Sequence, residues 1–298
     1  RHAARFLRGN MTHPTQNSAL AVGLLLAGFS VFTGVDAASK LLTEDYHTLE
    51  IAFGRAVFQV LPLLLIIAWQ GRAVVKSAHP GLQTLRGACI FVCTLLFVQG
   101  LSLLDLADCI ALTYISPFAV VLFSVWLLKE KVDWQRWLAV VIGFLGMLIV
   151  LRPGMGVFGP AALWPLSEAV LWAFALVITR MMPRDGAMTT LIWTSVIQLL
   201  LAAAFVPLVW RMPDAADIPI FAAAGLFNLV GQLLLISAFR RAPASLLAPF
   251  STVQIVVAAL VGWLVFHTFP DFWTWVGTGV ILAGGLLVWW RERQLLRR

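Results

Sequence analysis

Charge is scarce in this chain. Only 12% of its 298 residues are Asp, Glu, Lys or Arg, while 61% are hydrophobic, and that balance leaves too little polar area to cover a water-soluble domain. Cysteine is scarce as well. Cys89, Cys93 and Cys109 form an odd set in or beside apolar runs, which argues against a disulfide framework and for packed free thiols. The histidines His2, His13, His47, His79 and His267 are scattered, so no Cys/His cluster has metal-ligand spacing. The chain has no phosphate-binding GxxxxGKS or GxxxxGKT loop, no HExxH, and no intramembrane His to activate a serine. Neither enzymatic activity nor a cofactor nor a metal is expected, and ATP-driven pumping by this chain alone is not expected either.

What fills the chain instead is apolar sequence in ten runs. They read as residues 18–40, 48–69, 82–104, 108–128, 134–152, 158–181, 188–210, 217–239, 244–266 and 272–290. A bilayer core about 30 Å thick takes roughly 20 apolar residues per spanning helix, and a helix satisfies its own backbone hydrogen bonds there. The expected fold class is therefore an all-α integral membrane protein with ten transmembrane helices, its main partner surface being the lipid bilayer. The first run is long enough to span and reads as a retained helix, not a cleaved signal.

The few charges are sorted by loop. Basic residues in short loops stay on the cytoplasmic side, and with both termini inside, seventeen of the 21 Lys and Arg lie there. Three are in the loop after span two (Arg72, Lys76, Arg86), three after span four (Lys129, Lys131, Arg136), and pairs lie at Arg180 with Arg184 and Arg240 with Arg241. The opposite loops carry Glu44, Asp45, Asp105, Asp108, Asp214, Asp217 and Asp271. This predicts an inner (plasma) membrane protein with cytoplasmic termini. It also accounts for the net charge of +7 through contact with anionic inner-leaflet lipid, without nucleic acid.

The runs repeat. An offset of 137 residues carries the starts of spans two to five to within three residues of the starts of spans seven to ten. The matching letters are few, so the repeat lies in spacing. With five spans per half, the second half must enter the membrane upside down, an arrangement that in many transporters places the substrate between the halves near the midplane. The expected organisation is a cytoplasmic tail (1–17), a first repeat (18–153), a second, inverted repeat (154–291) and a cytoplasmic tail (292–298).

From Ala111 to Pro153 the chain reads ALTYISPFAVVLFSVWLLKEKVDWQRWLAVVIGFLGMLIVLRP, with Pro117 in span four, Glu130 thirteen residues later, and Gly143 and Gly146 in span five. This stretch, with the span count and the half-length spacing, resembles the EamA-type permeases of the drug/metabolite transporter superfamily. The corresponding second-half segment, STVQIVVAALVGWLVFHTF, departs from the family pattern with Gln254 and His267 in place of the usual Pro and Glu. Within that superfamily the Trp-rich composition looks most like the bacterial aromatic amino acid exporters of the YddG kind. The resemblance implies two inverted five-helix repeats and export of a small-molecule substrate by alternating access.

Charges at bilayer depth cost a few kcal/mol and mark a pathway, a pair or a relay. Asp36, Arg55 and Glu168 are the three inside spans, with Lys40 and Glu50 near span ends. Asp36 and Lys40 are four apart and can pair along one helix, and Arg55 can reach back to Glu50. Glu168 has no basic neighbour at helical spacing. Trp164, Glu168 and Trp172 recur every four residues, so a carboxylate between two indoles can attract an ammonium and stack a ring, although packing against lipid explains most tryptophans equally well. Asn228 and Gln232 in span eight, Tyr114 beside Pro117 in span four, and Ser251 and Gln254 in span nine are the candidate contacts from the other helices. The expected substrate-binding set is thus Glu168, Asp36, Trp164, Trp172, Tyr114, Asn228, Gln232, Ser251 and Gln254. It suits an amino acid with an aromatic or apolar side chain. A cation or multidrug exporter is the alternative within transport, and a channel or an intramembrane enzyme lies outside it.

Overall fold

A computed structural model describes residues 14–129, 159–239, 253–268 and 270–280, with further positions between 138 and 149 and at 283–284. Regular structure among the described residues is entirely helical. Nine helices and a further helical stretch over 272–280 organise it: α1 (Pro14–Leu42), α2 (Thr48–Gln70), α3 (Pro80–Leu103), α4 (Leu106–Thr113), α5 (Ser116–Leu128), α6 (Leu163–Arg180), α7 (Ala187–Phe205), α8 (Ile218–Phe239) and α9 (Val253–Phe266). Among the described residues seven spans are long and apolar enough to cross a membrane by length and composition, with α4 and α5 together forming one of them, while α9 is shorter. The predicted span five and the end of span ten lie largely outside the described residues.

Local chemistry sets the helix ends. The His47 side chain accepts from the Leu49 amide while Glu50 accepts from the His47 amide at 2.9 Å, a reciprocal cap that starts α2. Glu50 also accepts from the Arg211 amide. Its carboxylate is thus committed to backbone donors, and the expected Arg55–Glu50 pair does not form. Span four, expected as one helix over 108–128, is two. The chain turns at Tyr114–Ile115 and restarts with Pro117 in the first turn of α5, where a residue lacking an amide hydrogen is tolerated. The two halves stop their fourth spans alike: α5 ends at Lys129 (φ 54°) and α9 at His267 (φ 57°), both left-handed non-glycine residues.

Packing is mostly between halves. α1 lies against α8 and α9, α2 against α7 and α8, α3 against α6 and α7, and α9 against α4. Many helix faces stay apolar and exposed, as at Leu65, Trp69, Trp126, Leu208 and Phe272, which is what a lipid-facing surface requires. Where helices meet they come close, and an added Cβ at Gly225 on α8 would stand 2.6 Å from the Arg55 carbonyl oxygen on α2.

Candidate substrate site

A group of buried polar side chains converges where α1, α2, α3, α7 and α8 meet. α2 contributes Ala52, Arg55, Ala56 and Gln59, spaced so that all four share one face. With Phe91 and Thr94 of α3, Gln198 of α7 and Asn228 of α8, they line a cavity of about 10 Å³, room for one water molecule. Small residues at 52 and 56 leave space beside the two long polar side chains.

Hydrogen bonds fix most of these groups. Asn228 Nδ2 donates to Gln59 Oε1 at 2.7 Å, Gln59 Nε2 donates to Ser195 Oγ at 2.8 Å, and Ser195 donates to the Leu191 carbonyl. Gln198 Nε2 donates to Thr94 Oγ1 at 3.2 Å. This relay ties α8, α2 and α7 together and determines which way the Gln59 amide points. Arg55 Nη1 donates to Ser39 Oγ on α1 at 3.2 Å.

Two carboxyls stand nearby, both 8% exposed. Asp36 on α1 accepts from Gln254 Nε2 of α9 at 3.4 Å and lies within electrostatic range of Arg55. Glu168 on α6 is close enough to Asp36 for their charges to interact, yet its side chain has no hydrogen-bond partner among the described residues. Neither carboxyl forms an ion pair with a described residue. Lys40 is not the partner of Asp36. It points to the end of α3, donating to the Leu101 and Leu104 carbonyls at 3.1 and 2.5 Å, where a helix C-terminus attracts a cation.

The predicted residues thus fall into several environments. Asp36 and Gln254 are brought together, and Asn228 lines the cavity. Gln232, one turn further along α8, is half-buried and is not part of the lining. Tyr114 packs against the cluster containing Leu101, Cys109 and Ile110. Trp172 packs with Cys89, Ile90 and Ala175 in the seam between α3 and α6, whereas Trp164 is 39% exposed, so the two indoles that share a helical face have different surroundings. Trp193 donates to the Val75 carbonyl at 2.8 Å, anchoring the loop after α2. Ser251 lies outside the described residues. Arg55, Gln59, Thr94, Ser195 and Gln198 were not in the predicted set, although the 52–55–56–59 spacing of small and polar residues in an apolar span was a readable signal.

Both ends of this assembly are bridged between the two halves. At one end Tyr46 Oη donates to Asp217 at 2.6 Å and accepts from the Asp214 amide at 2.9 Å, beside the Glu50–Arg211 contact. At the other end Asp185 accepts from Ser77 Oγ and the Ala78 amide, each at 2.6 Å, and from Gln83 Nε2 at 2.9 Å, with His79 3.9 Å away. Burial by itself would raise the Asp185 carboxyl, but the Ser77, Ala78 and Gln83 donors and nearby His79 outweigh it and hold it at about 2, below its ordinary 3.8. A depressed folded value stabilises the fold above the unfolded value and loses that contribution as pH falls through the folded one. Asp185→Asn is therefore expected to lower the melting temperature of the detergent-solubilised protein at pH 7 and to flatten its decline between 3.8 and about 2. An unchanged decline would remove Asp185 as its source.

The sequence model of the EamA-like transporter family matches twice, over residues 19–152 and 159–290. The chain belongs to the EamA-like transporter family. This EamA-like protein is 23% identical over 289 residues to an S-adenosylmethionine uptake transporter of Rickettsia bellii (strain RML369-C), covering 97% of this chain and 99% of that one. It is 29% identical to a riboflavin transporter of Rhizobium johnstonii, covering 93% of each. It is 28% identical to the pseudopaline exporter CntI of Pseudomonas aeruginosa, covering 90% of this chain and 94% of the other. A crystal structure of a protein 17% identical superposes with a TM-score of 0.68 over 92% of this chain and 97% of that one, which shows a shared fold. The protein is a multi-pass membrane protein of a transporter family, and its relatives carry small molecules.

Proposed function

We propose that the chain is a secondary carrier of ten transmembrane helices, two five-helix repeats of opposite orientation, that exports small amphipathic metabolites by alternating access. The proposed cargo is an amino acid with an aromatic or apolar side chain, and the proposed location is the inner membrane with both termini cytoplasmic. One observation carries the reading: Asp36, Arg55 and Glu168 are charges at bilayer depth on helices of both halves, and none is ion-paired with a described residue. Groups that costly to insert, with no direct ion pair among them, fit a ligand with charges of its own. Glu168 and Asp36 are the groups proposed to meet an ammonium or carry a coupling proton. Trp164, Trp172 and Tyr114 are proposed to offer aromatic contact, and Asn228, Gln232, Ser251 and Gln254 hydrogen bonds. S-adenosylmethionine, which names one relative, is itself an amino acid joined to an aromatic base.

A cavity with room for one water cannot hold such a molecule. Transport then requires the halves to separate, and the bridges at Tyr46–Asp217 and at Asp185 are the contacts that opening at either end must break. The Glu168 carboxyl, with no hydrogen-bond partner among the described residues, equally suits an organic cation, which keeps a cation or multidrug exporter as the second reading.

Proteoliposomes supplied with amino acids, nucleosides and cationic dyes, with and without a pH gradient, test the substrate class. A saturable, trans-stimulated flux is expected, and flux proportional to concentration would indicate a channel. The topology is tested in a cysteine-free background with an impermeant thiol reagent. Asp45→Cys should label from outside and Val74→Cys should not, and the reverse would overturn the proposed orientation. Cysteines at Ser116 and Ser251 should change reactivity on addition of substrate.

A further inference from the structure

Among the described residues the cavity wall holds a guanidinium, amides and a hydroxyl and no carboxylate, and the Thr94 hydroxyl already donates to the Ile90 carbonyl. Arg55, Gln59, Thr94, Gln198 and Asn228 supply these groups, while the Asp36 and Glu168 carboxyls lie outside the lining, on α1 and α6. Arg55 has five N–H donors, of which one bond, to Ser39, is made within the described structure. No described carboxylate lies within ion-pairing distance of it. The Gln59 amide is already occupied at both its oxygen and its nitrogen by Asn228 and Ser195, so Arg55 is the donor group with the most unspent capacity.

From this juxtaposition we infer that Arg55 recognises a carboxylate of the transported molecule, and that this contact makes the site selective for aminocarboxylates over simple amines. The inference rests on the carrier reading of the site and gives it polarity. The anionic end of a zwitterion enters the cavity beside Arg55, and the cationic end faces Asp36 and Glu168. A guanidinium matches a carboxylate with two parallel N–H···O bonds, whereas an ammonium at the same place offers a point charge. Ser39 on α1 fixes one edge of the guanidinium, and the other has no partner among the described residues. Arg55 also sits where α2 meets α8, so its position changes when the two halves move.

The test uses the full chain in proteoliposomes and matched probes: tryptophan against tryptamine, phenylalanine against phenethylamine, and S-adenosylmethionine. The wild type is expected to carry at least one of the three carboxylate-bearing probes, and to take up the paired amines with a half-saturation concentration at least tenfold higher. Arg55→Lys should narrow that gap, and Arg55→Gln should lower amino acid flux to the level of the amine without lowering amine flux. A purely structural Arg55 would lower both together, a result that overturns the inference when circular dichroism and size-exclusion behaviour match wild type. Should Arg55→Gln not fold, the wild-type pairs decide: equal transport of tryptophan and tryptamine overturns the inference. Saturable flux confined to amines or other compounds without a carboxylate overturns it too, yet leaves the carrier reading standing. No saturable flux of any probe overturns both.

Discussion

Glu168→Gln is expected to reach the membrane and fold, and to lose net transport by tenfold to a hundredfold. The substitution keeps the shape and removes the charge. Glu168 is 8% exposed and its side chain has no hydrogen-bond partner among the described residues, so the amide forfeits no structural contact that the carboxylate makes. What it would forfeit is the proposed interaction with a cationic group of the substrate, and a charge-assisted hydrogen bond contributes roughly 1.5–3 kcal/mol, about one to two factors of ten. If Glu168 carries a coupling proton instead, gradient-driven uptake disappears while exchange of internal for external substrate persists. Full net transport by the Gln variant at neutral pH would exclude both roles and move the assignment to Asp36.

Gly225→Val should be strongly damaging, lowering both stability and transport. An added Cβ would lie 2.6 Å from the Arg55 carbonyl oxygen, 2.7 Å from Phe58 Cβ and 3.0 Å from the Gln59 amide nitrogen. Two of those neighbours are backbone of α2 and cannot rotate away. Relief comes only if α8 withdraws from α2, which overpacks or strains the junction by about 1–3 kcal/mol even for alanine, with valine worse. The same withdrawal pulls Asn228 off Gln59 and shifts Arg55, so the cavity wall is lost along with the packing. Gly23→Ala on α1 is the control, because nothing lies within 4 Å of its added Cβ. Thermal stability of the purified variants separates the cases: equal loss at 23 and 225, or none at 225, would refute the close-approach argument.

Much of this protein was legible before any helix was placed. The span starts near 48, 82, 188 and 217 agree with α2, α3, α7 and α8 because long apolar runs in lipid have one stable form, the helix. Asp36, Glu168, Asn228 and Gln254 stood out by the same logic, since polar atoms at bilayer depth need a reason. Pairing was not legible. The four-residue spacing of Asp36 and Lys40 matched an ion pair along one helix, but the α3 carbonyls at Leu101 and Leu104 captured the ammonium. The spacing of Arg55 and Glu50 failed likewise, because the helix start at His47 and the Arg211 amide took the carboxylate.

Sequence alone determined that this chain is helical, spans a membrane many times and carries three charges where lipid would repel them. Hydropathy and spacing suffice for that, because they act within a single segment. The tertiary structure decided which charges face one another, that α2 rather than α6 supplies the wall of the cavity, and that the two halves are bridged at both ends. Those features arise between helices more than a hundred residues apart, as in Gln59 with Ser195 or Tyr46 with Asp217, where helix rotation and close approach at residues such as Gly225 choose the partner and no local pattern records the choice.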